Sequence, residues 1–176
     1  MEMTGFTKPR RLTPEDDVDG FQCGVPVVDD WLHKHLRTAR KQGTAVAYGT
    51  FAVSAPEHGP DTGHGPLAGF YTLSAFSVDH ESTPGWIRRN SPDPVPVILL
   101  GMLGVDMRFQ TMHVGGQLLR DAVLRAMGAA DIIGARALVV DPATENATRF
   151  YEHYGFRHIA GSERMFTPLN LTRGRH

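Results

Sequence analysis

The stretch Leu100-Gly-Met-Leu-Gly-Val-Asp-Met-Arg-Phe-Gln-Thr-Met-His-Val-Gly-Gly-Gln-Leu-Leu119 decides the fold of this chain. It begins as an apolar, strand-like run, passes through a basic turn and enters an amphipathic helix. The apolar positions with helical spacing are Leu118, Leu119, Ala122, Val123, Ala126, Met127 and Ala130. A helix start has free N–H groups and the positive end of the helix dipole, which favour an anion. The stretch therefore predicts either a phosphate-binding loop or an ordinary strand–turn–helix unit.

Composition predicts one domain spanning residues 1–176. A chain of 176 residues can bury a full core. The formal net charge of −1 implies no general affinity for polyanions, although local basic patches remain possible. The single cysteine, Cys23, excludes an intramolecular disulfide, and neither the cysteine nor the histidine spacing predicts a metal site. Without a signal peptide or an apolar run of membrane-spanning length, the chain is expected to be cytoplasmic and not membrane-bound.

Hydrophobic periodicity predicts the element order αβββαβαββ, a mixed sheet with helices on both faces. The first helix is predicted to start at Asp29 or Asp30 and to run to Gln42, after polar residues 1–20. The strands are predicted at 45–54, 67–78, 96–106, 137–140, 156–159 and 165–168. A hairpin loop is expected at 55–66, and the 79–94 connection is long enough to suggest a functional loop.

Basic residues share one side of the predicted first helix, opposite its apolar side. They are Lys34, Arg37, Arg40 and Lys41. Two interpretations remain open at this point. The residues form a solvated helix surface, or they contact the phosphate backbone of a nucleic acid.

The run from Val105 to Leu119 resembles the acetyl-CoA signature of the GNAT N-acetyltransferases, which read Gln/Arg-x-x-Gly-x-Gly/Ala after a strand ending in Val-Asp. Gln110 and Gly115 fill its first and last positions, whereas His113 stands at the family's first glycine. Further stretches resemble the toxin branch of this family. They are Phe21-Gln-Cys-Gly24, Asp30-Trp31-Leu32, Gly69-Phe-Tyr-Thr-Leu-Ser74, Arg88-Arg89 with the strand through Val105, and Arg149-Phe-Tyr-Glu-His-Tyr-Gly-Phe156.

This resemblance implies a GNAT fold, with a mixed, mostly antiparallel sheet, and an enzyme that uses acetyl-CoA. Members of the toxin branch acetylate the α-amino group of aminoacyl-tRNA, block translation, and pair with a ribbon-helix-helix antitoxin. A homodimer is also possible. Two alternatives remain: a GNAT enzyme that acetylates a small amine or a protein amine, and a binding protein with an impaired cofactor loop.

The resemblance also assigns residues to the reaction. Backbone groups around the turn would hold the diphosphate of acetyl-CoA, and the residues involved are Gln110, Thr111, Met112, His113, Val114, Gly115 and Gly116. The main chain of Leu103 and Val105 would align the pantetheine arm and stabilise an oxyanion. Asn146 either contacts the cofactor or starts a helix. Tyr151 would protonate the leaving thiolate, unless it is a core aromatic packed with Phe150 and Tyr154.

Two further expectations concern substrate and affinity. Contacts with tRNA would come from Arg88 and Arg89, where the resemblance also has arginines, and from Lys34, Arg37, Arg40 and Lys41. An α-amino group has a pKa of about 8, so it needs little base catalysis, and the sequence offers no obvious base. Because His113 adds a side chain where glycine would let the backbone approach the phosphates, we expect retained but weaker acetyl-CoA binding.

Overall fold

The computed structural model describes residues 3–54, 64–158 and 161–169. The strands are β1 (Met3–Phe6), β2 (Arg10–Arg11), β3 (Val46–Ser54), β4 (Leu67–Val78), β5 (Val95–Val105), β6 (Ala137–Val140), β7 (Arg157–His158) and β8 (Met165–Pro168). The helices are α1 (Pro26–Asp30), α2 (Leu36–Gln42), α3 (Gly85–Arg88), α4 (Val114–Ile133) and α5 (Glu145–His153). The predicted α/β class is confirmed.

The strands follow the order β1-β3-β4-β5-β6-β8-β7, and β2 pairs separately with β3. Strand β5 runs parallel to β6, in a register that pairs Ile98 with Leu138 and Leu100 with Val140. The pairs β1–β3, β2–β3, β6–β8 and β7–β8 are antiparallel. The sheet is therefore mixed, as its periodicity predicts.

Two compact units can be distinguished, each with its own apolar cluster. The first comprises Met1–Thr72 and Met102–Asp121, and the second comprises Leu73–Gly101 and Ala122–His176. The buried cluster of the first contains Leu12, Phe21, Cys23, Val28, Leu32, Ala47, Phe51, Leu67 and Phe70. That of the second contains Val78, Ile87, Val95, Val97, Ala137, Val139 and Phe166. The single domain spanning 1–176 stays a prediction.

The first helix begins earlier than predicted and is not uniform. Pro26 occupies its first turn, where the fixed φ of proline suits helix initiation. Asp29 does not start the helix but reaches back, and its carboxylate accepts N–H groups of Cys23 at 2.8 Å and Gly24 at 3.1 Å. A π-helical turn, Trp31–His35, joins α1 to α2, and the Leu36 N–H donates to the Trp31 carbonyl. The helix ends, as predicted, at Gly43, which has a φ of 70°.

Short elements occur in two further places. Residues 1–20, for which the sequence predicts a loose start leading into a short strand or turn, contain β1 and β2, both of which pair with β3. The 79–94 connection contains a 3₁₀ turn, His80–Ser82, and helix α3. Burial of Ile87 in the second cluster anchors α3, although the surrounding sequence has no periodic pattern. The predicted 55–66 loop lies mostly outside the described residues, as does part of the predicted 156–159 strand.

Candidate active site

The carboxyl end of β5 continues beyond its partner. Strand β6 ends at Val140, which pairs with Leu100, so residues 101–105 extend past the last registered β5–β6 pair. At this point a side chain also enters the backbone hydrogen bonding, because the Met102 N–H donates to the Thr72 hydroxyl at 2.9 Å. Leu103 and Val105, predicted to bind cofactor through their main chains, lie in this half-buried segment. The segment supplies the strand edge that such a contact requires.

Asp106 organises the turn that follows β5. Its carboxylate is buried, the residue being 2% exposed, and accepts the Gln22 N–H at 3.1 Å and the Arg108 N–H at 2.9 Å. The Arg108 guanidinium also donates to it, at 2.8 Å. Burial by itself would raise the pKa of the Asp106 carboxyl, but the hydrogen bonds from Arg108 and Gln22 outweigh burial and lower it. The group is therefore a carboxylate that fixes the turn.

Gln110 braces the same turn. Its side-chain amide nitrogen donates to the Cys23 carbonyl at 2.8 Å and to the Val105 carbonyl at 3.0 Å. The first signature position thus ties the end of β5 to the segment before α1. Sequence reasoning assigned Gln110 to the cofactor and missed this internal role, as it missed Asp106. The only sequence signal for Asp106 is a carboxylate placed between a buried strand and a basic turn.

The start of α4 presents backbone N–H groups. The Gln117 N–H donates to the His113 carbonyl at 3.3 Å. The amides of Val114, Gly115 and Gly116 precede this bond, and among the described residues they have no backbone acceptor. His113 has a φ of 62°, in the left-handed region that favours glycine, and its side chain is exposed, as are Thr111 and Met112. The turn therefore brings together the residues predicted to bind the diphosphate.

Close packing holds the α4 start against the strands. A Cβ added at Gly69 would lie 2.7 Å from the Leu118 Cδ1 atom and 3.1 Å from the Gly104 carbonyl oxygen. Gly104 itself has no room for a side chain, since an added Cβ would lie 2.8 Å from the Val28 Cγ1 atom. These glycines allow β4, β5 and α4 to approach closely, so the position of the amides at the helix start is well defined.

Tyr151 lies on α5, in the second unit. The residue is 6% exposed, and its ring lies 5.3 Å from those of Phe150 and Phe156. Among the described residues the Tyr151 hydroxyl has no hydrogen-bond partner. Every fully buried side-chain oxygen or nitrogen atom in the same part of the chain does have a partner, so the Tyr151 hydroxyl oxygen is not fully buried. The hydroxyl therefore keeps access to solvent. Burial raises the pKa of Tyr151 well above its usual value.

Thr144, rather than Asn146, caps α5. The Thr144 hydroxyl accepts the Ala147 N–H at 3.0 Å. The side-chain oxygen of Asn146 accepts a hydrogen bond from Arg149 instead. Two roles are predicted for Asn146, cofactor contact and helix start. The structure assigns the helix cap to Thr144, so only the cofactor contact stays a prediction for Asn146. Tyr154 is 48% exposed and stacks edge-on against Phe150 at 5.1 Å.

The predicted basic contacts differ in how free their side chains are. Lys34 forms a 3.4 Å ion pair with Asp30, and Arg40 donates to the Leu12 carbonyl at 3.2 Å. Arg37 and Lys41 are exposed. In the second unit, Arg88 donates to the His80 carbonyl at 3.1 Å. Arg89 is exposed, and no side-chain partner for it is present in the described part of the chain.

Known proteins identify the family of this chain. No protein-family model matches it. It is 42% identical over 154 residues to the tRNA-acetylating toxin of Mycobacterium tuberculosis (strain ATCC 25618 / H37Rv), across 88% of this chain and 86% of the relative. The chain belongs to the toxin branch of the GNAT acetyltransferases. The resemblance of the sequence to the GNAT toxin branch is thereby confirmed.

Solved structures share the fold of this GNAT toxin. AtaT complexed with acetyl-methionyl-tRNAfMet is similar with a TM-score of 0.78 and 24% identity, covering 93% of this chain and 95% of that one. A tyrosine-to-phenylalanine mutant of AtaT, bound to the C-terminus of the antitoxin AtaR and acetyl-CoA, has a TM-score of 0.75 and 22% identity, covering 94% of each chain. The predicted GNAT fold is confirmed.

Within residues 3–54, 64–158 and 161–169, no helix combines the length and apolar character needed to span a membrane. Over the same residues, no group of three or more histidine, cysteine, aspartate or glutamate side chains is placed to hold a metal ion.

Proposed function

We propose that this GNAT toxin transfers the acetyl group of acetyl-CoA to the α-amino group of an aminoacyl-tRNA, and so blocks translation. The observation that carries the proposal is 42% identity to a tRNA-acetylating toxin across 88% of the chain. The chemistry of the turn agrees with it, because unpartnered amides before Gln117 suit the diphosphate of acetyl-CoA. The complex of AtaT with acetyl-methionyl-tRNAfMet gives further support through the shared fold.

Acetyl-CoA binds through the main chain. Within the turn from Thr111 to Gly116, the amides of Val114, Gly115 and Gly116 hold the diphosphate, since the Met112 N–H already donates to the Phe109 carbonyl at 3.2 Å. Gln110 keeps the turn in the required shape. The free edge of β5 at Leu103 and Val105 pairs with the pantetheine arm. An N–H group on this edge stabilises the oxyanion that forms when the thioester carbonyl is attacked.

Tyr151 is the general acid. The neutral α-amino group attacks the thioester carbonyl carbon, the C–N bond forms, and the C–S bond then breaks. The Tyr151 hydroxyl gives its proton to the departing thiolate, the amine releases its proton to water, and the Tyr151 phenolate takes a proton back from water. Because burial raises the pKa of Tyr151, the hydroxyl holds its proton until the thiolate forms. An α-amino group with a pKa of about 8 is partly neutral at pH 7 and needs no strong base.

The acceptor and the partner follow from the same family. Arg88 and Arg89 contact the phosphates of the tRNA, with a further contribution from Lys34, Arg37, Arg40 and Lys41. A ribbon-helix-helix antitoxin binds the toxin, as AtaR binds AtaT. The toxin acts in the cytoplasm.

The test is transfer of labelled acetyl from acetyl-CoA to charged tRNA. We expect label on the aminoacyl group, which alkaline hydrolysis of the ester releases as an N-acetyl amino acid. Uncharged tRNA and charged tRNA with a blocked α-amino group serve as controls and stay unlabelled. Label on small amines or protein amines, with none on any charged tRNA, would overturn the proposal.

His113→Gly is expected to bind acetyl-CoA several-fold more tightly than the wild type. A left-handed φ costs a residue with a Cβ about 1–2 kcal/mol, and glycine avoids this cost. Glycine in turn loses more conformational entropy on folding, which offsets roughly 0.5–1 kcal/mol of the gain. The free energy of unfolding should therefore rise by up to about 1 kcal/mol, and the backbone can approach the phosphates more closely. Urea unfolding and isothermal calorimetry measure the two effects.

Asn90→Gly is the matched control for this variant. Asn90 has a φ of 61° but lies outside the turn at 110–116. Its replacement should leave acetyl-CoA affinity unchanged. Equal or weaker binding by His113→Gly would show that the imidazole contributes to the loop.

A further inference from the structure

An exposed tryptophan with a stacked arginine lies on the surface of the second unit. Trp86 is 40% exposed. The Arg157 guanidinium lies over its ring, 4.3 Å from the centroid. Neither residue takes part in binding acetyl-CoA as described above. The exposed part of the indole ring is available to stack against a ligand.

The support of Trp86 is rigid. The next residue, Ile87, is 1% exposed and lies in the second apolar cluster. Arg136 clamps the backbone of this segment, because its guanidinium donates to the carbonyls of Ile87 and Arg89, each at 3.2 Å. The indole is therefore held in place before any ligand arrives, which lowers the entropic cost of stacking on it.

Contacts within the second unit connect this pair to Tyr151. The Tyr151 ring lies 5.3 Å from that of Phe156, and the residue after Phe156 is Arg157. Arg157 pairs in register with Phe166 in the antiparallel β7–β8 pair, so their side chains lie on the same face of the sheet. Phe166 shares a buried cluster with Ile87, the neighbour of Trp86. Trp86 and Tyr151 thus belong to the same compact unit.

The charges around Trp86 favour a polyanion. Arg88, Arg89 and Arg157 are all exposed, and the guanidinium of Arg89 is free among the described residues. The same loop carries three acidic residues, Asp79, Glu81 and Asp93, and Asp93 accepts the His80 N–H at 3.1 Å. Exposed aromatic rings flanked by arginines bind single-stranded nucleic acid, because every base has a face to stack and every linkage has a charge to neutralise.

We propose that Trp86 stacks against an unpaired base at the 3′ end of the tRNA, with Arg157 and Arg89 bound to the adjoining phosphates. The inference rests on the proposed function, in which the acceptor is an aminoacyl-tRNA. The amino acid is esterified to the terminal nucleotide of a single-stranded end, and its amine must reach the reacting thioester. A base held on Trp86 binds that end to the same compact unit that carries Tyr151.

The experiment compares two RNA probes on the full-length protein. One is an uncharged tRNA transcript, and the other is the same transcript without its unpaired 3′ nucleotides. Fluorescence anisotropy should show that Trp86→Ala weakens binding of the intact transcript about tenfold, the effect of losing one base–aromatic stack. Trp86→Phe should keep most of the affinity. The truncated transcript should bind the wild type and Trp86→Ala equally.

Tyr154→Ala is the control for loss of an exposed aromatic residue in the same unit, since Tyr154 is 48% exposed. It should leave both affinities unchanged. Equal binding of the intact transcript by the wild type and Trp86→Ala would overturn the inference. So would an equal loss on both probes, or a wild type that does not distinguish them.

Acetyl transfer separates this inference from the proposed function. If no charged tRNA accepts label but Trp86→Ala still loses binding to the unpaired end, the proposed reaction fails and the stacking site stands. If charged tRNA accepts label and Trp86→Ala has an unchanged KM for it, the reaction stands and the stacking site fails. Where both hold, Trp86→Ala raises KM for charged tRNA and leaves the KM for acetyl-CoA unchanged.

Discussion

Tyr151→Phe is expected to slow acetyl transfer by about 10²- to 10⁴-fold, the contribution of a positioned general acid. The substitution removes the proton donor and keeps the ring, whose contacts with Phe150 and Phe156 hold α5 in place. Acetyl-CoA affinity and the free energy of unfolding should therefore change little. Single-turnover transfer to charged tRNA and calorimetric titration with acetyl-CoA measure the two quantities separately.

The pH dependence gives this prediction a second readout. Burial disfavours the phenolate, so the pKa of Tyr151 lies above its ordinary value and the hydroxyl stays protonated. The transfer rate should consequently show no descending alkaline limb from this residue below about pH 10, the ordinary tyrosine pKa. Tyr154→Phe, an exposed tyrosine on the following turn, is the control and should be fully active. A Tyr151→Phe variant with wild-type rates would exclude the assignment.

The parts of the fold predictable from sequence are those with long, strong patterns. Strands β3, β4 and β5 and helix α4 each carry enough apolar residues to reveal their period. Strands β1 and β2 are too short for that, and they exist because β3 offers them a partner. The π-helical turn Trp31–His35 and the start at Pro26 depend on packing and on the contacts of Asp29, which no local pattern specifies.

The candidate site divides in the same way. Residue types around 110–116 point to a phosphate-binding turn, because glycines and a helix start can be read directly. The hydrogen bonds that shape this turn cannot be predicted from the local sequence. Asp106 accepts the N–H of Gln22, which is 84 residues away in the chain. Gln110 donates to the carbonyl of Cys23, which is 87 residues away. The stack of Arg157 on Trp86 depends on the docking of α3, which the sequence does not reveal.

Asp106→Ala is expected to lower the free energy of unfolding by about 2–4 kcal/mol, the cost of removing one partner from a buried, charged hydrogen-bond network. The Gln22 N–H loses its acceptor, as does the Arg108 N–H. The loss falls below that of a fully buried pair, because the Arg108 side chain is 53% exposed and water can solvate it. Urea denaturation measures the change, and calorimetry should show weaker acetyl-CoA binding because the turn loses its support.

Asp106→Asn isolates the charge, since the amide keeps the shape of the side chain. The folded-state pKa of Asp106 is lowered, so its carboxylate stabilises the protein above the unfolded-state pKa of about 3.9 and loses this effect as pH falls through the folded value. The stability difference between the wild type and Asp106→Asn should thus be largest near pH 7 and shrink below about pH 4. Asp16, whose pKa is lowered to about 2 mainly by its hydrogen bond with Arg10, titrates in both proteins and cancels in the comparison. Equal stability of the wild type and Asp106→Asn from pH 7 to pH 3 would mean that Asp106 acts through its shape rather than through its negative charge.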